Sequence, residues 1–476
     1  MSESTLWTRE ETALLARLQS HPFENPADSL DFARRLAREQ GWGLARARAA
    51  IDEYRRFCFL CCTAGEEMTP SQEVDEVWHL HLTFSRDYWQ IFCPQVLGTA
   101  LHHGPTRGGR TEGLRFREQY ARTLAAYERR FGPPPLAFWP GSQERFADPG
   151  RIRRVDRARH LVLPRPRLPG WRGLLGLLGL LGLLGSLAAI GAAGAADALP
   201  ANPLDWTAEP FLALFAGLAA GALALSFILR QILRRRARRS GSGQDAALDP
   251  YHLAYLAGGP DRAIDAAVTE LLVRRAARLE RLPQRIDLKV PVAELPDELR
   301  SLGAAIEISD KLFTLRRCAA VWTAPLRARL ESQDLVPAPT AARQARIAGA
   351  LPPLAIAAFG AAKIAVGLTR DRPVGYLVVM TLILAAIGLY LLFNAPLRTQ
   401  SGDRALEGAR RRLARVARAP TNEELPMAVA LGGTAVLAGT LYADYHGVNP
   451  GIKESIGFGG GDGDGGSGCG GCGGGD

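Results

Sequence analysis

The sequence predicts a mainly α protein in which cytosolic helical regions are carried on two transmembrane helical hairpins, and three observations predict it. Apolar runs recur at 173–196, 210–229, 347–368 and 374–393, each near the ~20 residues that a ~30 Å hydrocarbon layer requires at ~1.5 Å per residue. Basic stretches flank these runs at 151–172, 230–239 and 398–418. Between them lie amphipathic helical patterns with capping signals, and the chain ends in a glycine-dominated tail.

At 476 residues the chain has room for about two to four domains, since soluble domains mostly run ~100 to 200 residues. Apolar residues make up 47% while mean hydropathy is −0.03, so strongly apolar segments alternate with strongly polar ones. A formal charge of +10, from 58 Lys+Arg against 48 Asp+Glu, would suit nucleic acid. The basic residues cluster beside the apolar runs instead, where cytosolic anchoring accounts for them, so nucleic acid is not the expected partner. Seven cysteines, Cys58, Cys61, Cys62, Cys93, Cys318, Cys469 and Cys472, are an odd number and imply no disulfide framework. Residues 1–11 are polar and lack the apolar core of a signal peptide, which places the first domain in the cytosol. The expected order is a cytosolic helical domain at 1–131, a Pro/Arg linker at 132–170 and a transmembrane hairpin at 171–233. A winged-helix-like cytosolic region at 234–346 and a second hairpin at 347–394 follow. A basic helix with a marginal apolar helix at 395–456 and a disordered Gly/Cys tail at 457–476 complete it.

In the first domain, Thr8-Arg9-Glu10-Glu11 reads as a capping box ahead of Leu14, Leu15 and Leu18. The pattern repeats over 29–40 up to Gly41, and a third helix covers 44–62. A fourth is expected to open with Thr69 as cap, Pro70 in the first turn and Gln72 closing the box. It carries Val74-Asp75-Glu76-Val77-Trp78-His79-Leu80-His81, followed by Tyr88, Cys93 and Leu101-His102-His103. Helical residues two apart differ by about 200°, so His79 and His81 cannot both ligate one ion. Asp75 and His79, four apart, share a face and suit a carboxylate–imidazole pair. One reading is a site for zinc or another transition metal, combining His79 or His81 with Cys93, His102 or His103 and one of Cys58, Cys61 and Cys62. Nothing here has zinc-finger spacing, and the favoured reading is a bundle with buried cysteines and carboxylate-bonded histidines. No cysteine sits at a helix start or a Gly-rich elbow, so no catalytic residue is assigned.

Tyr54-Arg55-Arg56-Phe57, Pro70-Ser71, the run from Val74 to His81, Tyr88, Cys93, Gly98 and His102-His103 resemble the helical module of the glycine-rich domain-containing proteins. The hallmark is a Val-Asp-x-x-Trp-His-x-His helix followed by Tyr, Cys and Gly-x-x-x-His. The resemblance covers about residues 45–105. It implies a helical module and a set of site residues, without a defined activity.

Pro133-Pro134-Pro135 and Pro164-Arg165-Pro166 make 132–170 a semi-rigid cationic spacer. In the first apolar run glycines recur every third residue from Gly173 to Gly185 and spiral round the helix, whereas Ala213, Gly217 and Gly221 in the second form a small-residue stripe suited to packing. Asp197, Asp205 and Glu209 lie between the runs and the arginines lie outside them, which puts both outer flanks in the cytosol. After a flexible joint at 240–245, helices are expected on either side of Gly258-Gly259-Pro260, then a short β-hairpin over 279–292, then helices at 294–302 and 310–330. This order resembles a winged helix. Arg274, Arg275, Arg278, Arg281 and Arg285 would meet phosphates in a membrane-bound DNA-binding regulator. No polar base-reading set stands out, so a small interaction domain near anionic headgroups is favoured. The segment from Ala254 to Arg262, Val366-Gly367, the segment from Arg370 to Gly375, the segment from Ala428 to Gly432 and the tail together resemble an uncharacterised family of bacterial membrane proteins over about 248–476. That resemblance implies an architecture and a bacterial source, with no established catalytic residues.

Lys363, inside the third run, is expected to snorkel with Arg370 and Arg372, although an intramembrane cation also suits a substrate or lipid. Pro352-Pro353 is expected to kink the first turns of that span. The run 425–443, diluted by Gly432, Gly433 and Gly439, is a marginal fifth span for which a buried or surface-lying helix is preferred. The tail is too glycine-rich for a core. Cys469 and Cys472 form a CxxC whose two thiolates cannot fill a tetrahedral metal site without two tails, hence a homo-oligomer, or another domain's donors. A flexible thiol-bearing end also suits a maturation enzyme that would act on it. The expected function is thus an inner-membrane scaffold or interaction protein with membrane lipids as partners and its N-terminus in the cytosol. The alternatives are a metal-handling protein or metalloenzyme using His79, His81, Cys93, His102 and His103, and a membrane-bound regulator.

Overall fold

A computed structural model describes residues 7–23, 29–104, 106, 108–147, 202–235, 248–280 and 284–447. The expected span at 173–196, most of the cationic spacer, the joint at 240–245, Arg281, and the tail with Cys469 and Cys472 lie outside those residues.

Caps and breakers set the first helices. α1 (Arg9–Ser20) opens on both halves of the expected box: the Thr8 hydroxyl accepts from the Glu11 N–H at 3.1 Å, and the Glu11 carboxylate accepts from the Thr8 N–H at 2.9 Å. α2 (Phe32–Gln40) is capped by Asp31 and stops at Gly41, whose φ of 64° favours glycine. α3 (Leu44–Thr63) follows. α4 (Gln72–Thr83) departs from expectation, because its cap is Ser71 and not Thr69. The Ser71 hydroxyl accepts from the Val74 N–H at 3.2 Å, and with valine at the third position no reciprocal bond forms. Thr69 is drawn away because its N–H donates to Thr123 and its hydroxyl to Gln119, both on α5 (Arg110–Phe131). Between α4 and α5 the chain forms a π-helical segment, Tyr88–Leu97, that ends at Gly98.

The later elements are α6 (Ala208–Arg235), α7 (Pro250–Val273), β1 (Ala277–Glu280), β2 (Arg285–Leu288), α8 (Asp297–Ile308), α9 (Pro339–Thr369), α10 (Gly375–Phe393), α11 (Gln400–Arg412) and α12 (Leu425–Gly432). The described chain is mainly helical with one small two-stranded sheet. It divides into two units, with Met1–Arg154, Leu248–Ala324 and Gly408–Asp476 in one and Val155–Ala247 and Pro325–Glu407 in the other.

The first unit is thus assembled from three separated stretches of chain. Its N-terminal core is aromatic, with Tyr54, Phe57, Phe59, Tyr88, Phe92, Tyr120, Tyr127 and Trp139 fully buried. Inside it the Glu53 carboxylate on α3 accepts from Arg56 at 2.7 Å, Tyr127 at 2.8 Å and the Trp139 indole at 2.7 Å, tying α3 to α5 and to the segment beyond it. α7 bends at Gly259, whose φ of 77° ends one helical stretch just before Pro260 starts the next. The hairpin pairs Leu279 with Ile286, and Ile286 is fully buried. The run 425–443 is no continuous span: α12 ends at Gly433 (φ 81°), and Leu425, Ala428, Val429 and Ala430 are buried, with α12 packed on α7. Arg415 donates to Glu128 at 2.6 Å and pairs with Glu424, and the Tyr445 hydroxyl donates to buried Asp265 at 2.8 Å.

In the second unit α6, α9 and α10 are long and apolar enough to cross a membrane, which gives three candidate membrane helices among the described residues. The Ala213-Gly217-Gly221 stripe is expected to receive the span at 173–196, which lies outside the described residues, and a side chain added at Gly221 would meet open space. Phe215 of α6 presses against Gly360 of α9, where an added Cβ would lie 2.5 Å from Thr381 Oγ1 and 2.6 Å from the Phe215 ring. The helical backbone of α9 starts at Pro339, so Pro352 and Pro353 fall within it and not in its first turns. Lys363 is 9% exposed, and its ammonium reaches the segment just before α6, donating to the carbonyls of Leu204 at 2.7 Å and Trp206 at 2.8 Å.

Removing the Glu53 carboxylate would leave three donors facing each other in the core. Glu53→Ala should therefore cost about 3 kcal/mol or more, read as a lowered midpoint in denaturant unfolding of the full-length protein, and Glu53→Gln should cost less.

Candidate metal centre

α4 carries two chemistries on opposite faces because Val74 and Val77 are held in the core, which fixes the helix's rotation. His81 points inward and is fully buried, while the His79 side chain is 43% exposed. The two imidazoles join different clusters, as their ~200° separation requires.

The inner cluster is His21, His81 and Asp87. His81 Nε2 lies 2.9 Å and His21 Nε2 3.1 Å from the same carboxylate oxygen, Oδ2 of Asp87. His81 Nδ1 lies 3.1 Å from the Tyr54 hydroxyl. One protonation pattern satisfies these contacts: both Nε2–H groups donate to Asp87, and Tyr54 donates to His81 Nδ1. Burial lowers both imidazoles below their usual range, with the nearby carboxylate offsetting only part of it. Burial would raise the Asp87 carboxyl, but its bond from His81 and the charges of both imidazoles outweigh it, so it titrates below the ordinary carboxylate range.

The outer cluster is Asp75, His79 and His103. His103 Nε2 lies 2.9 Å from Asp75 Oδ1 and 3.2 Å from His79 Nε2, and Asp75 Oδ1 lies 3.9 Å from His79 Nε2. No arrangement of protons satisfies this meeting as fully, since one N–H on His103 cannot serve both neighbours well. His103 reaches the site from the loop after the π-helical segment. Trp78 packs edge-on against its ring at 4.5 Å and donates its indole N–H to the Tyr88 hydroxyl at 2.9 Å, and Tyr88 in turn donates to the Leu101 carbonyl. These two aromatic residues therefore position the strand that delivers His103.

The structure thus brings together Asp75, His79 and His103 and sends the other expected ligands elsewhere. His102 is exposed and faces the Trp89 ring at 5.4 Å. Cys93 is buried in the aromatic core away from both clusters. Burial raises the Cys58 and Cys61 thiols well above their ordinary range and pushes Cys62 up to about 11, which keeps them protonated. Sequence reasoning missed His21 and Asp87. His21 sits at the C-cap of α1 and Asp87 lies six residues past His81, and neither spacing is a local motif.

These features define a helical protein with three candidate membrane helices and a His/Asp cluster open to solvent. Residues 33–116 match the family model of an uncharacterised group described as UCP032817-like, and that stretch contains both clusters except for His21. No curated protein and no solved structure matches the chain.

Because His21, His81 and Asp87 all hold protons less readily in the folded state than when exposed, the unfolded chain binds more protons as pH falls through their ordinary values. The contribution of the two imidazoles is complete above the ordinary histidine value of 6.5 and is lost as pH falls below it, whereas that of Asp87 is lost only below the ordinary carboxylate value of 3.8. Thermal unfolding of the full-length protein should therefore shift to lower temperature as pH drops from about 7.5 to about 5, and His81→Phe should flatten that slope.

Proposed function

We propose that this protein is a polytopic membrane protein that binds a divalent transition metal, zinc or a neighbour in the first row, through Asp75, His79 and His103. The observation that carries the reading is the approach of His79 Nε2 to His103 Nε2, 3.2 Å, with the Asp75 carboxylate 2.9 Å from the latter. A tetrahedral ion with bonds of ~2.0–2.1 Å spaces its ligand atoms about 3.3 Å apart. The separations of 2.9, 3.2 and 3.9 Å bracket that value, so an ion can be received with small side-chain adjustments. Three protein donors leave a position free for water or a transferred ligand, the pattern of handling or catalytic sites and not of closed structural ones. Mixed imidazole and carboxylate donors suit zinc, iron, cobalt or nickel better than the softer thiolate-seeking ions.

The membrane part of the reading rests on α6, α9 and α10, and arginines at 230 and 234 on the last turns of α6 favour a bacterial inner membrane with the metal module in the cytosol. This gives the scaffold expected from sequence a cargo. A DNA-binding role draws less support: Arg274 is paired with Glu270 at 2.5 Å and Arg285 with Asp310 at 3.4 Å, and the hairpin strands are four residues each.

Metal analysis of the full-length protein in mild detergent, after equilibration with Zn²⁺ or Co²⁺, tests the reading. About one equivalent is expected in the wild type and in His102→Ala, with affinity at least about tenfold weaker in His79→Ala, His103→Ala and Asp75→Asn. Retention of full affinity in His103→Ala, or no stoichiometric metal in the wild type, would overturn it.

A further inference from the structure

The second unit has a feature that spanning alone does not require. Where the residues around Trp206 lead into α6 and the turn from α9 to α10 closes, the helices leave a cavity of about 770 Å³, within the ~300–1,000 Å³ of small-molecule sites. Its walls are apolar, with Phe211, Leu212, Val366 and Leu377 among them, and its polar groups are concentrated in Lys363, Arg370, Arg372 and Glu209. Arg370 is paired with Asp205 at 2.7 Å. Lys363 is held only by two carbonyls and by the face of Phe211, 4.8 Å from the ring centroid. Among the described residues no carboxylate lies within ion-pair distance of Lys363 or Arg372, and with Asp205 engaged by Arg370 and Glu209 as the one acidic lining residue the cavity keeps a net positive charge.

An ammonium buried within a membrane-spanning helix, as Lys363 is in α9, is expensive unless an anion meets it, and Arg372, exposed in the turn after α9, lines the same cavity. A soluble polyanion would leave the apolar walls uncovered, whereas an amphiphile meets both demands. We infer that this cavity is a binding site for an anionic phospholipid of the bilayer, one acyl chain lying in the hollow and the phosphate seated on Arg372 beside Lys363. The Arg372 guanidinium offers paired donors to phosphate oxygens, and Lys363 adds a point charge held in place by the Leu204 and Trp206 carbonyls. Neutral headgroups supply no counter-charge, so the site discriminates by net charge.

The test is native mass spectrometry of the full-length protein in mild detergent, titrated with phosphatidylglycerol or phosphatidylcholine of identical acyl chains. The expected result is one retained phosphatidylglycerol, favoured by at least about tenfold over phosphatidylcholine, with Arg372→Gln reducing retention by about tenfold. Arg372→Lys should restore part of it, and Arg343→Gln, the same charge change on an exposed position at the start of α9, should leave it intact. A bulky Val366→Trp should displace the lipid while Arg372 remains. Equal retention of the two lipids, or wild-type retention in Arg372→Gln, would overturn the inference, and an unchanged unfolding temperature in that variant excludes misfolding as the cause of a loss.

Discussion

The rotation of one helix governs the chemistry of the first unit. α4 places Val74 and Val77 in an aromatic core, and with that phase fixed every other side chain on it has a direction. His81 must enter the core and His79 must leave it. The Asp87 carboxylate reinforces the choice from inside, because a single oxygen receives both buried imidazoles. On the opposite face Asp75 and His79 stand one turn apart, and His103 is brought to them by a loop pinned through Trp78 and Tyr88. The Val-Asp-x-x-Trp-His-x-His run is thus two sites sharing one backbone.

The two clusters hold the same residue types in different states. The inner one buries both imidazoles, which burial keeps neutral, and is satisfied by protons alone, with Tyr54 completing it and the Asp87 side chain 34% exposed. The outer one is open to solvent and has more convergent acceptors than shared protons. Under the proposed reading a cation would resolve the second arrangement and only disturb the first. Composition cannot distinguish them, whereas burial and the count of donors against acceptors can.

Local signals in the sequence were legible wherever the physics was local. The box at Thr8 and Glu11, the stop at Gly41, the break at Gly259-Pro260 and the face shared by Asp75 and His79 all depend on residues within four positions of each other. Errors arose where a distant partner intervened. Thr69 lost its capping role to bonds with Thr123 and Gln119, about fifty residues on. The carbonyls near residue 205 that receive the Lys363 ammonium are 159 and 157 residues away in sequence, and no local signal names them. The close approach between α6 and α9 is made by Gly360 against a phenylalanine, a pairing that composition does not announce. His21 entered the inner cluster from the first helix, a pairing that no periodicity announces.

The interleaving of the first unit has a consequence for biogenesis. Arg415 meets Glu128 across 287 residues of chain, and α12 packs on a helix that precedes two of the candidate membrane helices. At about 5–20 residues per second a ribosome needs roughly 15–60 s to make that intervening length. For about half of that interval, while the chain from α7 to α12 is made, the surface destined for α12 is without its covering helix, a period in which chaperone attendance has something to protect. A finished first unit can therefore exist only in chains whose candidate membrane helices have already been synthesised, so its closure reports that those helices have left the ribosome.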